Sequence, residues 1–370
     1  MKKTRIIAVI LALILTVTIF GACKKTEEPA PPASPGSNTS APASAPASAP
    51  APAPAPADDG KTYILRIGTG TGGIHPQNVW MEAYKEALEK ATNGRIEVQL
   101  YPAGQLGTMA ELIQGMVDGS IDSGCFPSGY FSTIIPAVAC SDLAFTFKDA
   151  EQLWRILFYE DTKYQAAFED NGIVVGTWLR NCDRTLISTS LITSMDDLKG
   201  KVLWCMPSRV VQEEINLLGG VVSSIDTGEV APSIQNGTLD GSVQDISLYR
   251  AQSLHNAGAK YILSTPTGAI ITCFGISQKW WDNLPEDLRG IVIDVANQTV
   301  LDVEYPYIDD FVAGAYASMT SEGLQVIDPS DEFKAAMREA LAPQKDWFMN
   351  MTPDAVPIYD ELCQFIANDK

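Results

Sequence analysis

Past residue 60 the chain alternates between two hydrophobic rhythms. Tyr63–Gly68 and Arg95–Tyr101 read as strands, the second with strict apolar/polar alternation. Between them, Pro76–Thr92 spaces Val79, Met81, Tyr84, Leu88 and Ala91 as the buried side of an amphipathic helix. Met109–Val117 predicts a helix and Ser120–Cys125 a strand. Further strands are predicted at Val174–Leu179, Thr185–Ser188, Val202–Cys205, Val221–Ser224, Leu239–Val243, Tyr261–Leu263 and Ala269–Ile276. Helices are expected at Ser208–Leu218 and Glu229–Asn236. A long one runs from Glu286 to about Met319, with no proline until Pro306, and two more lie around Asp331–Met349 and Pro353–Ala367. Alternation of this kind argues for an α/β protein, with parallel or mixed sheets covered by helices.

One stretch poses a functional question. In "DLKGKVLWCMPS" (Asp197–Ser208) a Lys-Gly turn feeds a short apolar strand, Met206-Pro207 end it, and Ser208 stands where a helix would be capped. Trp204 therefore lies near the C-terminal end of a strand, where open α/β sheets bind ligands. It either packs in the core or faces a ligand.

The first sixty residues are not fold. Lys2, Lys3 and Arg5 precede an apolar run from Ile6 to Phe20, and Gly21-Ala22-Cys23 follows. This reads as a signal peptide over 1–22, too short for a membrane span. The small residues before Cys23 resemble a bacterial lipobox, with Phe20 where leucine is more usual. Cys23 is the expected lipidation site, tying an exported protein to the outer face of the cell membrane. Residues 24–60, rich in Ala-Pro, favour extended polyproline II and cannot build a core. At about 3.1 Å per residue such a tether reaches on the order of 100 Å. The remaining Lys61–Lys370 is long enough for two lobes.

The chain carries 26 Lys and Arg against 45 Asp and Glu, which argues against nucleic acid as a partner. Its seven cysteines show no C-x-x-C pair; zinc spacing is absent and no disulfide pairing can be read. Gly68–Gly73 satisfies G-x-G-x-x-G after a strand. His75-Pro76 separates it from the helix, however, and the next strand ends in Tyr101-Pro102 without an acid, so a flexible glycine loop over a cleft fits better than a dinucleotide site. There are two histidines, His75 and His255, and no H-E-x-x-H, G-x-S-x-G or S-x-x-K motif. Nothing assembles a reaction. The chain is expected to be no enzyme, without cofactor, metal or catalytic residues.

Five stretches, in order, carry a resemblance: Thr92–Cys125 ("TNGRIEVQLYPAGQLGTMAELIQGMVDGSIDSGC"), Ser141–Ile156, Asp183–Lys201, Gly228–Asp245 and Trp280–Val292. Together they resemble the solute receptors of tripartite ATP-independent periplasmic (TRAP) transporters, the DctP family. The resemblance spans Thr62–Leu324. It implies a two-lobed periplasmic-binding-protein-like fold, type II-like, with a long helix bridging the lobes and a hinge at the crossing strands. Lobe I would take roughly 61–181 and part of 269–370, and lobe II roughly 182–268 and the remainder. It also implies a monomer that binds a small molecule, mostly a carboxylate in this family, and delivers it to TRAP permease membrane subunits.

At one position the chain departs from that pattern. The fourth residue after the glycine of "DLKG" is usually an arginine that grips the ligand carboxylate; here it is Trp204. An asparagine expected a few residues past "DG" is replaced by Gln244, while the arginine of the "R-x-L-T"-like motif is kept as Arg184. Either Arg184 alone holds a carboxylate, or the ligand is aromatic or cationic and stacks on Trp204, with Asp183 and Asp245 near enough in sequence to favour a cation. Thr71, Gln105, Phe126, Ser128 and Thr227 follow by residue-to-residue match as further ligand contacts. The alternative function is a receptor of the same fold that presents its ligand to a membrane sensor kinase.

Overall fold

The structure, a computed structural model, describes residues 60–369 apart from Thr265. The signal peptide, Cys23 and all but the last residue of the tether lie outside the described residues. Ten strands form the scaffold: β1 (Tyr63–Gly68), β2 (Ile96–Tyr101), β3 (Ser123–Pro127), β4 (Ile173–Ser188), β5 (Val202–Cys205), β6 (Val221–Ser223), β7 (Gly241–Gln244), β8 (Tyr261–Leu263), β9 (Gly268–Ser277) and β10 (Gln325–Ile327). They run in the order β2-β1-β3-β9-β4-β7-β5-β6, with β8 on β4 and β10 on β8.

β4 joins two sheets. From Ile173 to Arg184 it pairs antiparallel with β9, and from Thr185 to Ser188 with β7. The register shifts between Val175 and Thr177 and again between Arg180 and Asp183. The strands expected at Val174–Leu179 and Thr185–Ser188 are parts of this one element, and Arg180-Asn181-Cys182-Asp183-Arg184 between them lacks an apolar rhythm. The strand is continuous, and these polar residues lie where it passes from one sheet to the other. A bulge there bends and twists the strand, which suits a hinge.

The long helix marks the same division. Glu286–Thr299 and Tyr305–Ser321 are α-helical, and Val300–Glu304 between them is a π turn. Pro306 supplies the cause, because its ring displaces the carbonyl four residues earlier and removes one donor from the ladder. Leu288, Val292, Ala296 and Val300 join the larger core with β1, β3 and the helix Pro76–Ala91. There Trp80 stacks on Tyr84 at 4.7 Å and donates to the Ala296 carbonyl. Ile308, Phe311, Ala315 and Met319 instead join a second core, with Trp204, Val230, Ile234 and Tyr249. One helix thus serves two cores: the fold is α/β and two-lobed, with a long bridging helix.

The C-terminal helix expected over Asp331–Met349 divides at Pro343 into Asp331–Leu341 and Gln344–Met351, as a proline lacking its N–H would dictate. The six described cysteines are free, and all but Cys363 are buried.

Candidate ligand-binding cleft

The loops after β1, β2 and β3 in one lobe face those after β5 and β6 in the other. Between them lies a cleft of about 880 Å³. One wall is Gly70 with the Ala103–Glu111 segment and Tyr130; the other is Trp204, Cys205, Pro207, Gln212 and Ser224–Glu229. The β2 loop is held onto the glycine loop by backbone bonds, Ala103 N–H to Thr71 O and Gly104 N–H to Thr69 O, both 2.9 Å. Ala103 sits at φ 54°, a left-handed conformation that L residues seldom adopt.

Trp204 both packs and faces the cleft. It is only 2% exposed and belongs to the second core, yet it lines the cavity. Its indole N–H donates to the Ile225 carbonyl at 2.9 Å, so its single donor is used within the protein. Thr227 also lines the cleft and meets Tyr130 across it, oxygen to oxygen at 3.1 Å. Burial pushes the Tyr130 hydroxyl up to about 12.

Arg184 lies behind this wall and is not part of the lining. It is fully buried, and its Nη2 donates to Glu214 Oε2 at 2.7 Å and to the Asp142 carbonyl at 2.8 Å. Nη1 stands 3.8 Å from Asp142 Oδ1. Two carboxyl groups therefore compensate the guanidinium inside the protein. Burial, more than the neighbouring arginine, sets the Asp142 carboxyl, pushed up to about 6. Arg184 Nε and Nη1, Thr185 Oγ1 and Gln244 Oε1 are buried without hydrogen-bond partners. Gln244 ends β7 directly opposite Thr185, beside the strand that carries Trp204.

The other expected contacts stand further back. Thr71 accepts from Gln77 Nε2 at 2.5 Å and Asn78 Nδ2 at 3.3 Å, while its neighbour Gly70 reaches the cleft. Gln105 is exposed on the loop whose neighbours Ala103, Gly104 and Gly107 line the cavity. Phe126 is core, edge-on to Phe131 at 6.1 Å, and Ser128 is buried at the start of the turn that presents Tyr130. Trp204 and Thr227 are thus the two expected residues brought together on the cleft itself.

The family model described as bacterial extracellular solute-binding protein, family 7 (DctP), matches residues 67–351. The chain belongs to this family. It is an extracytoplasmic solute receptor of the TRAP type, not an enzyme. A solute-binding protein of Chromohalobacter salexigens is 23% identical over 290 residues, 78% of this chain and 85% of the relative. The C4-dicarboxylate-binding periplasmic protein DctP of Rhodobacter capsulatus is 25% identical over 283 residues, 73% of this chain and 82% of that one. A crystal structure of a C. salexigens TRAP solute-binding protein with bound D-glucuronate superposes with a TM-score of 0.77 at 21% identity, covering 81% of this chain and 99% of that one.

In this receptor, the two acids that suggested a cation in the sequence are occupied elsewhere. Asp245 caps the helix Ile246–Ala251, accepting from the Ser247 and Leu248 N–H groups at 2.8 and 3.1 Å, and Asp183 accepts from the Ala150 N–H at 2.7 Å. The carboxylates on the cleft are Glu111, Asp226 and Glu229, and among the described lining residues there is no Lys or Arg. Glu111 closes a capping box with Thr108, whose N–H and hydroxyl both donate to it and hold its carboxyl below the usual range. That role was legible as Thr108-x-x-Glu111. No local pattern marked Asp226, Glu229 or Tyr130. His75 is buried at the junction of the lobes. Its Nε2 is 3.0 Å from Ser247 Oγ, which itself donates to Asp245, so the imidazole carries its proton on Nε2 and Nδ1 is bare. Burial lowers this histidine to about 4, leaving it neutral. Among the described residues no three His, Cys, Asp or Glu side chains gather as metal ligands would.

Proposed function

We propose that this receptor binds one small organic solute in the cleft between Tyr130 and Trp204, closes on it by a hinge motion, and hands it to the membrane subunits of a TRAP permease. The observation that carries the reading is the cleft of about 880 Å³ itself, set at the strand ends between two lobes that share β4 and the bridging helix. Its size suits a solute of drug-like dimensions or smaller. The relatives' ligands, D-glucuronate and a C4-dicarboxylate, make small carboxylates one candidate class. The replacement of arginine by Trp204 makes aromatic or cationic compounds the other. In the carboxylate case the ligand must reach the free donors of Arg184 past Trp204; in the other, it must first uncover the indole, which is 2% exposed here.

Attached through Cys23 and the Ala-Pro segment, the receptor would work as a tethered monomer. Lipidation is tested by membrane partitioning, which Cys23→Ser should abolish. The receptor function is tested by thermal shift and calorimetry of the purified protein against a broad panel of carboxylates, amines, nucleosides and neutral sugars. Saturable one-to-one binding with a raised Tm is expected, because a ligand that binds only the folded state stabilises it by mass action. A panel with no binder at all would remove the reading.

A further inference from the structure

We infer that His75 is a proton-sensitive latch on closure of the cleft: its neutral ring bonds one lobe to the other, and a second proton on that ring parts them. The inference rests on the receptor reading above and adds a control to its hinge motion.

The latch begins in the glycine loop after β1. Gln77 Nε2 donates to the hydroxyl oxygens of Thr69 and Thr71, which ties this loop to the first turn of the helix Pro76–Ala91. The one loop carries Gly70 into the cleft and His75 to the junction of the lobes. Across the junction stands Ser247, in the helix Ile246–Ala251, whose Ile246 and Leu248 belong to the second core. His75 Nε2–H donates to Ser247 Oγ at 3.0 Å, and that hydroxyl gives its own hydrogen to Asp245. The tautomer is therefore fixed, and protonation can add a hydrogen only at Nδ1. That atom is buried without a partner. A charged ring there loses its water and gains no acceptor, a cost that the closed form carries and an open form, with the ring in water, does not.

The neighbours do not relieve this cost. Asp245 lies behind Ser247, on the Nε2 side of the ring, and caps its own helix. From the bridging helix, Tyr307 donates to the Ile74 carbonyl at 3.0 Å and not to the imidazole. The first turn of the helix Pro76–Ala91 offers Gln77 and Asn78, both uncharged, whose side-chain oxygens have no partner either. Burial alone lowers the ring, to about 4. In water an imidazole titrates near about 6.5. The open form thus binds the proton more tightly, and acid favours opening. From these two values the ratio of closed to open protein should fall about 20-fold between pH 7 and 5.

The chain has two histidines, so each ring can be followed alone by NMR of tag-free, histidine-labelled protein, with His255 as the reference. At pH 7 His75 should show the neutral Nε2–H tautomer. Between pH 7 and 4 its protonation should follow one curve with a rise in the radius of gyration, measured by small-angle X-ray scattering on the same ligand-free protein. His75→Gln keeps a donor for Ser247 and takes up no proton, so its radius should stay flat over that range. Ser247→Ala removes the acceptor and leaves the titrating ring, so it should shift opening to higher pH. A His75 that titrates at the ordinary value with the radius unchanged would overturn the latch, as would a radius that rises equally in His75→Gln. Either result would leave the receptor reading standing, because the compound panel tests solute binding separately.

Discussion

Two neighbouring sites, one open and one closed, use charge in opposite ways. The closed one is the Arg184–Glu214–Asp142 group, where a cation and two acids face each other away from water. The open one is the cleft beside it, where three exposed acidic residues and two buried aromatic ones, Trp204 and Tyr130, line the cavity with no Lys or Arg among the described lining residues. Both are built at the ends of the same adjoining strands. The lesson is that an arginine kept at a family position need not be free for a ligand. Its availability depends on what else is buried with it, and Glu214 sits one helix away from anything the motif contains.

The closed site should give the largest response. Arg184→Met leaves Glu214 and Asp142 buried without their cation, and breaking such a pair costs about 3–5 kcal/mol. Urea unfolding measures it. Adding Glu214→Leu to Arg184→Met should recover much of the loss, because replacing both partners by apolar groups removes the uncompensated charge. If the single variant were neutral, the ion pair would not be what holds this junction, and the contrast between the sites would collapse. Gly268 provides a second way to disturb it. A Cβ there would meet Arg184 Nη2 at 2.5 Å, so Gly268→Ala should displace the guanidinium.

On the open side, Trp204→Ala should cost about 3 kcal/mol of stability, since the ring is buried in the second core as well as facing the cleft. Trp204→Phe separates these roles by keeping most of the volume. Because it gives up the bond to the Ile225 carbonyl, Trp204→Phe should cost about 1 kcal/mol of stability, well short of the loss in Trp204→Ala, and any larger fall in ligand affinity reports the ring's part in binding.

The pH dependence of stability sharpens the contrast further. Burial raises the carboxyls of Asp142 to about 6 and of Glu304, in the π turn, to about 8. A group whose folded value is raised contributes stability that is fully present below its unfolded value and lost as pH rises through the folded one. Between pH 8 and 6 stability should therefore increase by about 2 kcal/mol as Glu304 takes up its proton. Glu304→Gln should flatten that slope and stabilise the protein at pH 8. Below pH 6 the gain from Asp142 meets an opposing term. His75 is held neutral by burial, so its contribution is present above the ordinary imidazole range and is lost as pH falls through about 4. A denaturation series across pH 4–8 on the parent and Glu304→Gln resolves these windows.

The sequence made much of the fold legible and less of the site. β1, β5 and β8 fall where the apolar runs place them, because local rhythm and turn residues agree with the tertiary structure there. Where polar residues are buried for a tertiary reason, rhythm fails. The middle of β4 looked like a loop because Asn181, Cys182 and Arg184 face the junction of the lobes rather than alternating in and out. Residues 128–147, apolar without period, hid a short helix and a 3-10 segment that carry Tyr130 and Asp142. Trp204 was legible through its place at a strand end. Its partner Ile225 offers only a backbone carbonyl, which no residue pattern can signal. Glu214 reads as one more polar residue on an amphipathic helix, and only the packing of that helix against the Pro136–Asp142 segment reveals it as the counter-charge of Arg184.

The smallest predicted effect bears on closure. Tyr130 stands in one lobe and Thr227 in the other, and their hydroxyl contact at 3.1 Å is the side-chain hydrogen bond that spans the cleft's own lining. It exists only when the walls are this close, so it stabilises the closed arrangement over the open one. Tyr130→Phe removes the hydroxyl and keeps the ring, at a cost of about 1 kcal/mol to the closed state. Because ligand binding draws on that state, affinity should fall about 5-fold. Thr227→Val should have the same effect, and the two changes together should cost no more than either alone, since each removes the same bond. Additive losses would mean that each hydroxyl meets the ligand separately, placing Tyr130 and Thr227 in the binding site as independent contacts rather than as the two halves of one clasp.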